Sequence, residues 1–87
     1  MEIEYVQAKT LKEKPAWDQN LGFGKYFTDY MFTMDWTVNK GWHNAKIEPY
    51  APICLDPATL VLHYAQETFE GLKAYKSKDG NVLLFRP

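Results

Sequence analysis

The chain is expected to fold as a small α+β domain: a mostly antiparallel sheet carrying one helix over residues about 57–70. Three observations lead there. Apolar and polar side chains alternate through residues 26–36, as in a half-buried strand. Leu60, Val61, Tyr64, Ala65, Thr68 and Phe69 recur every three or four positions, as on the inward stripe of an amphipathic helix. Asp79-Gly80 stands between two short apolar runs, a strong hairpin signal.

Taken in order, residues 3–8 predict a short edge strand, and residues 9–20, charged and interrupted by Pro15, a connecting arm. Gly22 and Gly24 bracket Phe23 and free the backbone there for a tight bend that presents the ring. In the strand that follows, Tyr30, Phe32, Met34 and Trp36 share one face, with Asp29, Thr33 and Asp35 on the other. The segment 37–44, with Asn39-Lys40-Gly41, reverses the chain, and 46–55 returns as a strand. Pro49 and Pro52 cannot donate ladder hydrogen bonds, so that strand is expected to be short, bulged or at an edge.

Asp56 is a good helix N-cap and Pro57 a good first helical residue, while Gly71 stands where a helix end favours a left-handed residue. Residues 72–76 and 81–85 then flank Ser77-Lys78-Asp79-Gly80 as a hairpin. The expected organisation is an arm and edge strand over 1–20, strand-loop-strand over 21–55, helix over 56–71 and hairpin over 72–87.

Composition narrows the function. Ten basic and eleven acidic side chains, a net charge of -1 and no long run of either sign argue against nucleic acid as partner. Fourteen aromatics in 87 residues supply more large apolar surface than one small core can hide, so part of it is expected to face a second domain, a partner chain or a ligand. Cys54 is the single cysteine, which excludes an internal disulfide framework. The acidic start, Met1-Glu2-Ile3-Glu4, is unlike a secretion signal, and no apolar run is long enough to span a bilayer. These features predict a cytoplasmic protein without membrane contact.

Catalytic groups are sparse. His43 and His63 lie twenty residues apart with only Cys54 between them as a further soft ligand, which meets no metal-site spacing. His63 stands one helical turn before Glu67, a spacing suited to a surface hydrogen bond. No serine, threonine or cysteine has a base at a recognisable motif spacing, and Gly22-Phe23-Gly24 lacks the third glycine of a dinucleotide loop. Among the nine lysines, Lys25 and Lys73 are weighed for their apolar neighbours, and Arg86, the sole arginine, ends a strand.

Several motifs together carry a family resemblance: Leu11-Lys12-Glu13-Lys14-Pro15, Leu21-Gly22-Phe23-Gly24, Phe27-Thr28-Asp29 with Met31, Lys40-Gly41-Trp42, Leu62-His63-Tyr64, Phe69-Glu70-Gly71-Leu72-Lys73-Ala74 and Phe85-Arg86-Pro87. In this order the chain closely resembles the opening of branched-chain amino-acid aminotransferases, pyridoxal-phosphate enzymes of fold type IV. Tyr30 and Phe32 stand where relatives often carry histidine and leucine.

The resemblance implies that residues 1–87 are an incomplete N-terminal small domain. It implies that Phe23 and Phe69 line the pocket for the substrate side chain and that Tyr64 reaches the pocket of the partner subunit in a homodimer. It also implies pyridoxal 5'-phosphate in the intact enzyme, with amino-acid and 2-oxo-acid substrates. The family's cofactor lysine, pyridine-side glutamate and phosphate arginine follow the counterpart of Pro87, so the chain alone is expected to hold neither catalytic nor cofactor-binding residues, and no metal. A free-standing interaction or dimerisation module is the alternative from another class, and a small apolar-ligand domain ranks after it.

Overall fold

In the computed structural model, residues 1–16 and 19–87 are described; Trp17 and Asp18, part of the expected arm, lie outside the described residues. The chain is a small mixed α/β structure with two sheets and one short helix, divided into two units, Met1–Ile53 and Cys54–Pro87.

The first unit is a three-stranded sheet in the order β1-β3-β2. Strand β1, Glu4–Tyr5, pairs parallel with β3, Gly41–Pro49, which pairs antiparallel with β2, Tyr30–Thr37. The return strand therefore starts at Gly41 rather than at residue 46, and it is the central strand. Pro49 is tolerated there because it closes the strand, and Pro52 lies beyond it. A bulge does occur in β3, but ahead of residue 46 rather than at the prolines: Thr33 faces Lys46 while Asp35 faces His43, so three steps on β3 match two on β2.

Asn44 supplies the extra residue with a left-handed φ of 57°, a conformation that asparagine reaches more readily than most side chains. Its amide nitrogen Nδ2 donates to Asp35 Oδ2 at 2.8 Å across the strands.

The bulge switches the parity of β3. Below it Pro49, Ile47 and Ala45 share a face with Tyr30, Phe32 and Met34; above it Trp42 joins the same face, opposite Trp36. The other face carries Glu48, Lys46 and His43 against Met31, Thr33 and Asp35, with Thr33 Oγ1 donating to Glu48 Oε2 at 2.7 Å. The alternation in the sequence thus sorts the two faces correctly, yet the apolar one stays open. Phe32, Trp36 and Trp42 are exposed, Tyr30 and Met34 half-buried, and only Ala45, at 5% exposure, is fully buried among the described residues.

In the second unit the helix is much shorter than the expected 57–70. α1 spans Val61–Tyr64, one turn. Asp56 does not cap it: its Oδ1 accepts from the Ala58 amide at 2.7 Å and its carbonyl from Thr59 at 2.9 Å, which makes a separate turn. The helix ends at Ala65, left-handed at φ 48° and ψ 50°, rather than at Gly71, whose φ is not positive. The physical reason is burial. A single helix turn is costly to nucleate, and an apolar stripe extends it only when a surface covers that stripe; no residue of this unit is buried.

The hairpin forms as expected in kind but reduced in extent. β4, Ala74–Lys76, pairs with β5, Val82–Leu84, and Gly80, at φ 85°, lies in the intervening turn, where its amide donates to Ser77 O at 3.0 Å.

Candidate functional site

The residues proposed for the substrate pocket fall in separate units and are all open to solvent. Phe23 belongs to the first. Gly22 and Gly24 take φ values of 62° and 71°, a region that strains any side-chain-bearing residue, so the bend that presents Phe23 depends on glycine at both flanks. The Phe23 ring is fully exposed. Tyr64, the last residue of α1, is 77% exposed, and Phe69, in the irregular stretch after the helix, 92%. With the helix ending at Tyr64, the periodic stripe that was to carry Tyr64 and Phe69 on one helix is not formed.

Beside the Phe23 bend, the first unit contains a hollow of about 820 Å³ walled by the arm residues Lys12–Pro15 and by the chain from Lys25 to Tyr30. Phe23 is not among its lining residues. Its floor is organised by Asp29. One carboxylate oxygen, Oδ1, accepts from the Lys12 amide at 2.7 Å, and the other, Oδ2, pairs with the Lys14 ammonium. The Lys12 ammonium donates to Thr28 O at 2.7 Å and lies 4.2 Å from the centre of the Tyr50 ring. Tyr50 stacks on Phe27 with ring centres 5.7 Å apart, and its amide donates to Asp29 O at 2.9 Å. Farther along the arm, the Ala8 amide donates to the Tyr30 hydroxyl at 3.0 Å.

Hydrogen bonds to the charged form favour it, and those from Lys14 and then Lys12 hold the Asp29 carboxyl below its usual value of 3.8, with the two positive charges adding to the effect. Only 12% of the Asp29 side chain meets solvent, and the desolvation that opposes the shift is outweighed by the two hydrogen bonds. The sequence showed Phe27-Thr28-Asp29 as a motif without revealing this role. Only the fold brings an acid at the head of β2 to two lysines some fifteen residues earlier.

The remaining polar groups are committed locally. His63 Nε2 donates to Pro57 O at 2.7 Å rather than reaching Glu67, and His43 Nδ1 lies 3.0 Å from Gly41 O. Among the described residues no group of three histidine, cysteine, aspartate or glutamate side chains could hold a metal ion. Lys73 Nζ lies 5.0 Å from the centre of the Tyr75 ring and the Arg86 guanidinium 5.9 Å from that of Phe85, both exposed. Lys25 is exposed as well. An imine-forming lysine needs a desolvated or cation-flanked setting, so these groups do not fit the pyridoxal cofactor that the resemblance implies. No helix of the described residues is long and apolar enough to cross a membrane.

No family model matches the chain. Individual relatives match it closely. It is 58% identical over 85 residues to branched-chain-amino-acid transaminase 1 of Bacillus subtilis, which covers 98% of this chain and 24% of that protein. It is 60% identical over 75 residues to a probable branched-chain-amino-acid aminotransferase of Streptomyces coelicolor, covering 86% of this chain and 21% of that protein. It is 63% identical over 79 residues to a probable branched-chain-amino-acid aminotransferase of Staphylococcus aureus, covering 91% and 22%. The chain thus spans between a fifth and a quarter of the length of the curated relatives it matches.

Proposed function

We propose that this chain is the N-terminal part of a branched-chain amino-acid aminotransferase. The intact enzyme would move the amino group of leucine, isoleucine or valine to 2-oxoglutarate with pyridoxal 5'-phosphate. The observation that carries the reading is identity of 54% or more, over as much as 98% of the chain, to relatives with that name. The fold would be the small domain of fold type IV, the assembly a homodimer and the location the cytoplasm.

In that enzyme the chain's own residues bind and shape; they do not perform the transfer. Phe23 and Phe69 supply apolar wall for a branched side chain that offers no polar group, and Tyr64 reaches the pocket of the partner subunit. Recognition by such walls is limited in selectivity, since one methylene is worth about 1–3 kcal/mol, which suits a site that accepts three similar amino acids.

The test compares two proteins. The 87-residue chain mixed with pyridoxal 5'-phosphate is expected to show no lysine labelled in preference to the others after borohydride reduction and peptide mapping, and no transamination of leucine. The same chain continued to the length of its relatives is expected to transaminate leucine, isoleucine and valine. Labelling of a single lysine in the short chain, or an inactive long one, would overturn the proposal. Sedimentation of the short chain separates the alternative: a compact oligomer of fixed size would favour a free-standing dimerisation module.

A further inference from the structure

From the contacts at the neck of the Phe23 loop, we infer that Asp29 is a positioning residue: its carboxylate ties the arm to the head of β2 and so fixes where Phe23 stands. The inference rests on the proposed role of Phe23 in the substrate pocket and adds to it a residue that does not itself touch substrate.

The argument is one of loop closure. Lys14 and Asp29 are 15 positions apart in the chain, and Phe23 lies between them in sequence. A loop whose ends are held together behaves as a compact unit, whereas one with free ends samples many more conformations. Here one side chain, Asp29, makes two of the ties between the ends. Asp29 uses both oxygens, one for a backbone amide and one for an ammonium, which fixes the direction of the arm as well as its distance. Lys12 adds a second tie to Thr28 O, and Lys14 Nζ also donates to Lys12 O at 3.0 Å, holding the arm in shape.

Above the neck the loop is braced from within. The Gln19 side-chain amide donates to the Tyr26 hydroxyl, and the Gly22 amide donates to Asn20 Oδ1 at 3.1 Å. The bend at Gly22 and Gly24 sets the direction of the ring relative to the loop; the tie at Asp29 sets the loop relative to the sheet.

The tie and its consequence can be tested separately. In the 87-residue chain, trypsin cleavage after Lys25, on the loop, is compared with cleavage after Lys46, within β3. Asp29→Asn, which keeps the shape but loses the charge, is expected to speed cleavage after Lys25 about tenfold and leave Lys46 within twofold; Asp29→Glu is expected to restore most of the protection. If Asp29→Asn exposes Lys46 as well, Lys14→Met decides: slow cleavage after Lys25 in that variant would overturn the tie.

In the chain continued to the length of its relatives, Asp29→Asn is expected to raise KM for leucine about fivefold with kcat held within twofold. Combined with Phe23→Ala it is expected to add little beyond Phe23→Ala alone. Additive effects would overturn the link between Asp29 and Phe23. An unchanged KM in Phe23→Ala would instead overturn the pocket role of Phe23, and the cleavage result would still stand.

Discussion

The two units of this chain are built from similar sequence material and end with different internal order. Met1–Ile53 is cross-linked over long distances in sequence: β2 with β3, β1 with β3, and the arm with Asp29 and Tyr30. Cys54–Pro87 has a one-turn helix and a hairpin of three residue pairs, and its hydrogen bonds join near neighbours, such as His63 with Pro57 and Asn81 with Ser77. Both expose most of their large apolar side chains. The difference teaches that a strand ladder and a few charged ties can define a local fold with almost no buried core, whereas an amphipathic helix cannot lengthen until something covers its stripe.

The largest expected consequence is in amide exchange. Paired amides of β2 and β3 should exchange at least about a hundredfold more slowly than those of α1 and β4–β5, as read residue by residue by NMR. Equal rates would erase the contrast between the units.

Next comes Ala45, the one buried side chain among the described residues. Ala45→Leu should overpack the bulge and cost about 1–3 kcal/mol, measured by urea unfolding, while Val82→Ala in the exposed hairpin should stay within roughly 0.5 kcal/mol. A smaller effect is expected at the Phe23 bend. Gly24→Ala forces a side chain into φ near 71° and should cost about 1 kcal/mol by the same measurement, with no change in unit-two amides.

The smallest effect is pH-dependent. The Asp29 carboxyl is lower in the fold than its ordinary value of 3.8, so the unfolded chain takes up the proton first. The stabilising contribution of the tie is therefore complete above that value and is lost as pH falls through the depressed one. The Lys12 amide shift in NMR should titrate with a midpoint below 3.8; a midpoint at or above it would show that the carboxylate is not held.

Much of the sheet was legible in advance because strand alternation is local information. Tyr30, Phe32, Met34 and Trp36 declare their shared face by spacing alone, and Asp79-Gly80 declares a reversal through the backbone freedom of glycine. The helix that the spacing predicts over 57–70 shortens to Val61–Tyr64 for a matching reason: spacing reports what a segment could bury, not whether anything is there to bury it against. The bulge at Asn44 is not legible in the sequence: the prolines point to a bulge within 46–55, whereas the left-handed residue is an asparagine in a segment that reads as a chain reversal.

For the candidate site, the glycines around Phe23 announced the bend, and motif order alone pointed to Phe23, Tyr64 and Phe69 as pocket residues. Asp29 stayed silent, since nothing in Phe27-Thr28-Asp29 tells which distant groups its oxygens will meet.

By itself the sequence determined the periodicities, the turns, the lack of a disulfide partner for Cys54 and the likeness to aminotransferases, because each depends on neighbours in the chain or on motif order. The tertiary structure alone decided that β3 is central, that Asn44 switches its parity and that Asp29 ties the arm, because each joins residues far apart in the chain. Chain connectivity encodes local geometry directly; which distant groups meet follows only once strands pair and close the loops between them.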